Sequence, residues 1–216
     1  MVAQLKEPYM SPQEYLEWEE SQPEKYGYRD GYVYAMSGGT LPHNRVAVNL
    51  ASILNIHLRS SGCITYSADA KIDIAKLNTF HYPDVSVTCD ERDRTAVKFL
   101  SYPCLIVEVL SPSTEAYDRG DKFKDYRSLE TLKEYVLISP TQMRVERYSL
   151  NDSNVWEVHY YEAAHDEVDL PKVHLSSVEW SFSLDELYEK DELYENMVIE
   201  PAPLVSVQAS VVPSVE

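Results

Sequence analysis

The feature that most constrains the fold of this chain is a short, almost wholly apolar run, residues 104–110, that contains a single glutamate. A run of this length and composition predicts a buried β-strand. Burying an unpaired carboxylate costs free energy, so Glu108 is expected to meet a cation in the folded protein.

A second carboxylate, Asp84, lies in residues 82–87, whose apolar and polar residues alternate as in a half-buried strand. Two carboxylates on neighbouring strands suit a hard divalent ion such as Mg²⁺, which prefers oxygen ligands. We therefore predict that Asp84 and Glu108 bind a metal ion. Taken alone, Asp84 is equally consistent with a residue that caps a turn.

Lys122 follows at the start of a helix-like segment. If that helix packs on the sheet, the ammonium group of Lys122 can lie close to the same two carboxylates. Phosphodiester hydrolysis requires neutralisation of phosphate charge and activation of a water, which metal ions and a nearby lysine can supply. The alternative is a solvated Lys122 paired with Asp118 or Asp125 on its own helix.

Length and composition predict one domain, residues 1–197, followed by a flexible tail, residues 198–216, rich in Pro, Val, Ser and Ala. No apolar run reaches the length of a transmembrane helix, and the N-terminus lacks the apolar stretch of a signal peptide. A cytoplasmic location away from membranes is expected. The three cysteines show no metal-ligand spacing and are expected to be buried, reduced thiols.

The net charge of −17 disfavours nucleic-acid binding, because phosphate contacts require Lys and Arg. The acidic residues are concentrated at the two ends. Residues 151–216 contain 15 acidic and 2 basic residues, and residues 1–24 carry a net charge of −5. Residues 25–150 have a net charge of +1, so weak or transient DNA binding is the most that the charge allows.

Hydrophobic periodicity, capping residues and turn residues predict helices and strands in a mixed order. The predicted helices are 11–21, 43–58, 117–129 and 183–189. The predicted strands are a hairpin over 26–37 and segments 63–74, 82–89, 104–110, 134–139, 144–150 and 155–163. This order indicates an α/β or α+β domain built on a mixed sheet that helices flank.

Several other polar residues are weaker candidates. His43 is as consistent with a helix-start residue as with one that assists the site. Arg92, Arg94 and Lys98 form a basic loop that is either solvated or in contact with phosphates. Asp69 is a minor candidate, and the other five histidines are interpreted as structural.

Three segments of the chain share a family pattern. They are Tyr82-Pro83-Asp84-Val85, Val107-Glu108-Val109-Leu110-Ser111-Pro112-Ser113-Thr114, and Tyr117-Asp118-Arg119-Gly120-Asp121-Lys122 with Tyr126. With Asp30-Gly31, Met36-Ser37-Gly38 and His43, the pattern covers about residues 10–165. It resembles a bacterial family of restriction-type endonucleases in the PD-(D/E)XK nuclease superfamily, long known only as a domain of unknown function.

The resemblance implies a restriction-endonuclease-like mixed β-sheet core flanked by helices, and it assigns the site residues. Asp84 would be the metal-binding aspartate, Glu108 the second metal ligand, and Lys122 the family's migrated lysine, because Leu110 occupies the usual lysine position. Gly27 stands where the family commonly has a glutamate that helps to hold metal.

We therefore predict a Mg²⁺-dependent endonuclease, with Mn²⁺ as a substitute, that cleaves DNA with Asp84, Glu108 and Lys122. A homodimer is expected, since sequence-specific duplex cutters often match the two-fold symmetry of their sites. Gly27 and the acidic composition motivate the alternative, a catalytically weak nuclease fold that acts as a binding or interaction module. A third, weaker hypothesis is a phosphoesterase for a small substrate.

Overall fold

A computed structural model describes residues 9–36, 38–164 and 168–188. Ser37 of the family pattern, the predicted tail 198–216 and the end of the predicted domain at residue 197 lie outside the described residues, as does the end of the predicted helix 183–189. The α-helices are α1 (Pro12–Glu19), α2 (Leu41–His57), α3 (Glu115–Tyr117) and α4 (Phe123–Tyr126), and a π-helical turn (Asp118–Lys122) joins α3 to α4. Single 3-10 turns cover Leu58–Ser60, Ala75–Leu77, Glu91–Asp93, Ser176–Val178 and Leu184–Glu186.

A six-stranded mixed sheet carries the two predicted site strands. Its order is β11-β10-β9-β8-β6-β3, and only β8 and β9 run parallel. The strands are β3 (Ile64–Ser67), β6 (Val85–Thr88), β8 (Leu105–Val109), β9 (Glu134–Ile138), β10 (Arg144–Leu150) and β11 (Trp156–Glu162). All five residues of β8 are buried, which explains its continuous apolar sequence.

Two further sheets complete the described strands. The first has the order β2-β1-β5-β4-β7, and the second is a two-stranded hairpin of β12 and β13. Their strands are β1 (Tyr26–Arg29), β2 (Tyr32–Ala35), β4 (Lys71–Ile74), β5 (Thr79–His81), β7 (Phe99–Leu100), β12 (Lys172–Leu175) and β13 (Trp180–Ser183).

The six-stranded sheet is covered on both faces. On one face, α2 and the β12–β13 hairpin pack on alternate strand residues, with Leu50 and Leu54 of α2 fully buried. On the other face, α4 packs through Phe123 and Tyr126 together with residues of β4. Because strand residues alternate between faces, Glu108 belongs to the α4 face with Ile106.

The predicted restriction-endonuclease-like α+β fold is confirmed, and most predicted elements match the structure. The capping box of Ser11 and Glu14 begins α1 as the sequence indicates. The single predicted strand 63–74 is wrong: a turn at residues 68–70 divides it into β3 and β4, which belong to different sheets. The strands β5 and β7 and the β12–β13 hairpin were not predicted, and the predicted late helix 183–189 is a 3-10 turn over its described part.

The expectation of three reduced cysteines is wrong. Cys63 and Cys89 form a disulfide, because antiparallel pairing of Ile64 with Thr88 places the two cysteines opposite each other at the next position. Cys104 remains a thiol, and burial raises its pKa to about 11. None of the helices in the described part is both long and apolar enough to cross a membrane.

Candidate active site

Strand register brings the two predicted carboxylates together. β6 and β8 are antiparallel and pair Val85 with Val107, so Asp84 and Glu108 lie opposite each other at the next position. The negative charge of Asp84 contributes to the raised pKa of Glu108, which agrees with this proximity. The two acidic residues that sequence analysis singled out therefore share one end of the sheet.

Glu108 is almost completely buried and meets a cation, as its place in the apolar strand predicts. Lys122 Nζ lies 2.8 Å from Glu108 Oε1, and the Tyr126 hydroxyl donates a hydrogen bond to the same oxygen at 3.2 Å. Burial raises the pKa of Glu108 to about 8 even though the Lys122 charge acts against it. Glu108 therefore keeps its proton to a higher pH than an ordinary glutamate.

A π-helical turn places Lys122 in the site. Lys122 Nζ also lies 3.4 Å from Asp118 Oδ1, and the Asp118 carbonyl accepts a hydrogen bond from the Tyr135 hydroxyl at 2.9 Å. Burial alone would lower the pKa of Lys122, but the charges of Glu108 and Asp118 outweigh burial and raise it. Lys122 therefore stays charged, and it is buried rather than solvated, although the pairing with Asp118 that the alternative named is present.

Asp84 is fixed by two neighbours at the end of its strand. Its Oδ2 accepts a hydrogen bond from the Val109 backbone N–H at 2.7 Å and lies 3.4 Å from Nε2 of His43. The Thr40 hydroxyl oxygen caps α2 by accepting a hydrogen bond from the backbone N–H of His43, and this bond holds the first helical turn in place. The hydrogen bond with Asp84 raises the pKa of His43. His43 therefore belongs to the site.

The donor set is compatible with a magnesium ion. Within the described ranges, no group of three or more His, Cys, Asp and Glu side chains is arranged as a metal cage. Mg²⁺ is usually held by one or two carboxylates, with waters and substrate oxygens completing its octahedron. The hydrogen bonds and ion pairs of the two carboxylates engage Asp84 Oδ2 and Glu108 Oε1, so the other oxygen of each remains available among the described residues.

A second polar cluster supports the helix that carries Lys122. Asp125 on α4 is buried, and its two oxygens contact Nη2 of Arg29 at 3.2 Å and Nε2 of His81 at 3.0 Å. The His81 ring packs edge-on against Tyr126. His81 was expected to be a structural residue without a partner. Its position three residues before Asp84 was the only local signal, since Asp125 is distant in sequence.

Replacing His81 by glutamine is expected to weaken the loss of stability in acid. Burial lowers the pKa of His81 below its unfolded value, although Asp125 opposes this effect. The folded protein therefore binds fewer protons here than the unfolded chain, so stability is retained above about pH 6.5 and is lost as pH falls through the lower, folded pKa. Urea unfolding between pH 5 and 8 should give a shallower acid-side slope for His81→Gln than for wild type. Equal slopes would contradict the prediction.

Other candidates lie in different surroundings. Asp69 is exposed and pairs with Lys25. Arg92 pairs with Asp90 and Glu130, as Lys98 does with Glu20. Two basic side chains of the predicted basic loop, Arg92 and Lys98, are therefore already paired with carboxylates of the same chain.

Gly27 has room for a side chain. A Cβ at this position would meet only the Phe80 carbonyl oxygen, at 3.9 Å. Alternate strand residues share a face, so Gly27 lies on the same face of β1 as Arg29, which contacts Asp125 on α4. The glutamate that the family resemblance places here would therefore face the helix of Lys122.

Comparisons with known proteins agree with this architecture. Among solved structures, a protein described as a "putative nuclease belonging to DUF820" from Anabaena variabilis ATCC 29413 superimposes with a TM-score of 0.63 over 83% of this chain and 97% of its own, at 18% identity. That likeness shows the fold.

Two curated proteins from Synechocystis sp. are similar in sequence, and both are described as uncharacterized. The protein slr1290 is 44% identical over 84% of this chain and 92% of its own length. The protein sll1609 is 33% identical over 66% of this chain and 82% of its own length. The family model Uma2, described as "Putative restriction endonuclease", matches residues 12–184, and the chain belongs to this family.

Proposed function

We propose that this protein is a metal-dependent endonuclease that hydrolyses phosphodiester bonds of DNA. The observation that carries the proposal is the pairing of Asp84 and Glu108 across two strands, with the buried ammonium of Lys122 on Glu108. Two carboxylates at one strand end, each with an oxygen that no other described residue engages, supply the kind of oxygen ligands that a divalent ion requires.

Each residue has a separate role in this proposal. Asp84 and Glu108 would hold Mg²⁺, or Mn²⁺ in its place, and a bound ion neutralises phosphate charge and lowers the pKa of a water. Lys122 keeps a fixed positive charge in a buried site, where it can stabilise a phosphate oxygen or orient the attacking water. His43 positions Asp84, and Tyr126 positions Glu108.

The protein is expected to bind DNA weakly. Arg92, Lys98 and Arg119 are each paired with carboxylates of the chain, which leaves them less available for phosphates. We also propose a cytoplasmic location, consistent with a DNA substrate, and a two-fold homodimer. Light scattering coupled to size-exclusion chromatography tests the dimer.

Nicking of supercoiled plasmid with Mg²⁺ or Mn²⁺, compared with the same reaction in EDTA, tests the activity. The expected result is open-circular product only in the presence of metal. Cleavage of a chromogenic phosphodiester with plasmid left intact would favour the small-substrate phosphoesterase. No cleavage of either substrate would favour the weak or inactive interaction module that Gly27 motivates.

Gly27→Glu is expected to increase Mn²⁺ affinity about tenfold, since ligand charge count tunes the affinity of oxygen-ligand sites. The strand geometry accommodates a side chain at this position, and the added carboxylate would lie on the face directed at α4. Calorimetric Mn²⁺ titration of Gly27→Glu beside Gly27→Gln, which adds the same bulk without charge, measures the effect. Equal affinity of the two variants would show that position 27 does not reach the metal.

A further inference from the structure

A groove runs from the candidate active site along α2. It has a volume of about 430 Å³, within the range of about 300–1,000 Å³ typical of small-ligand pockets. One wall is a face of α2 and the other is the edge strand β3, and Asp84 is one of the lining residues. A substrate positioned at Asp84 would therefore extend into this groove.

The lining mixes apolar and polar residues, and Asp84 is its one charged side chain among the described residues. Asn44 and Asn55 lie about three helical turns apart on α2, and their side-chain amides form no hydrogen bond with another described residue. Thr65 Oγ1 on the opposite wall is buried and has no partner in the described part of the chain. Buried polar atoms are normally hydrogen-bonded, so the Thr65 hydroxyl is one group that a ligand would satisfy, beside the two exposed asparagine amides.

Uncharged donors and acceptors suit bases and sugars better than phosphates. Asparagine pairs with base edges, whereas phosphates are bound mainly by Arg and Lys. The major groove of B-form DNA is by itself about 12 Å wide. A whole duplex is therefore too wide to enter a cleft between a helix and its neighbouring strand. The occupant that fits is an unpaired or flipped-out nucleotide.

We propose that this groove binds an unpaired stretch of the DNA strand beside the scissile phosphate, through Asn44, Asn55 and Thr65. This inference rests on the proposed nuclease function. Unpairing a base in a perfect duplex costs free energy, which a single strand or a mismatched duplex does not require. The protein therefore prefers DNA that contains unpaired nucleotides.

Fluorescence anisotropy in EDTA tests binding without catalysis, with a labelled single strand, a duplex with a three-nucleotide bulge and the matched duplex as probes. The single strand and the bulged duplex are expected to bind at least about tenfold more tightly than the matched duplex, as expected from a few kcal/mol of unpairing cost. Asn44→Ala and Asn55→Ala should each weaken single-strand binding about 3- to 10-fold. The salt dependence should keep its slope, because no phosphate contact is lost.

Gln142→Ala, an exposed amide outside the groove, is the matched control, and Ala68→Trp, at an exposed lining position, is a second variant that should block the groove. Unchanged binding by the asparagine and tryptophan variants, equal binding of all three probes, or no binding by wild type would overturn the inference. Plasmid nicking separates the two proposals. Normal nicking with unaffected asparagine variants refutes only the groove, whereas asparagine-dependent binding without any nicking supports the groove and refutes the nuclease.

Discussion

Asp84→Asn and Glu108→Gln are each expected to reduce plasmid nicking at least about 100-fold and to abolish Mn²⁺ binding. Each substitution replaces one carboxylic group at the paired strand ends by an amide that cannot become an anionic metal ligand, and losing one preorganised electrostatic group at an active site costs about 10²–10³ in rate. Both amides keep an oxygen that can accept the existing hydrogen bonds, from the Val109 N–H and from Tyr126. Alanine would instead leave the buried Val109 N–H without its partner and confuse activity with stability.

Asp69→Asn is the matched control, because Asp69 is exposed, pairs with Lys25 and carries the same charge. Its nicking rate and Mn²⁺ affinity should equal those of wild type. Circular dichroism and thermal melting should show that all three variants are folded. Full activity in both Asp84→Asn and Glu108→Gln would refute the metal site and the proposed nuclease with it.

The contacts of Glu108 were predictable from sequence because they follow from one physical conflict. A glutamate inside a wholly apolar strand must find a cation, and the structure places Lys122 there. The family resemblance supplied the identity of that lysine. Strand periodicity predicted the two segments that carry Asp84 and Glu108, and it left open whether the strands are neighbours, which the antiparallel pairing of β6 and β8 shows. Their roles in metal binding and catalysis stay predictions.

Contacts between segments far apart in the chain could not be predicted in this way. Asp125 contacts Arg29 and His81, which lie on two other elements of the fold. Neither residue spacing nor hydrophobic periodicity predicts these contacts. The π-helical turn is also invisible, because its sequence differs little from that of a regular helix. The disulfide depends on the register of β3 with β6, which a single sequence does not reveal.

Lys122→Met is expected to lower the free energy of unfolding by about 3–5 kcal/mol at pH 9, the usual cost of removing one partner from a buried ion pair. It leaves Glu108 and Asp118 buried without their shared cation. The cost should be smaller at pH 7, where Glu108 can avoid the charge by binding a proton, since burial raises its pKa to about 8. Urea unfolding at pH 7 and pH 9 measures both values.

The sign of this pH dependence follows from the raised pKa of Glu108. Between its unfolded pKa and its folded pKa of about 8, the folded state holds a proton that the unfolded chain has lost, so stability falls as pH rises. The positive charge of Lys122 lowers the pKa of Glu108, so this pKa is higher in the variant than in wild type. The variant therefore continues to lose stability above pH 8, where the stability of wild type levels off. In a Glu108→Gln background the added loss between pH 7 and pH 9 should disappear. If it persists in the double variant, Lys122 stabilises the fold through Asp118 and not through Glu108.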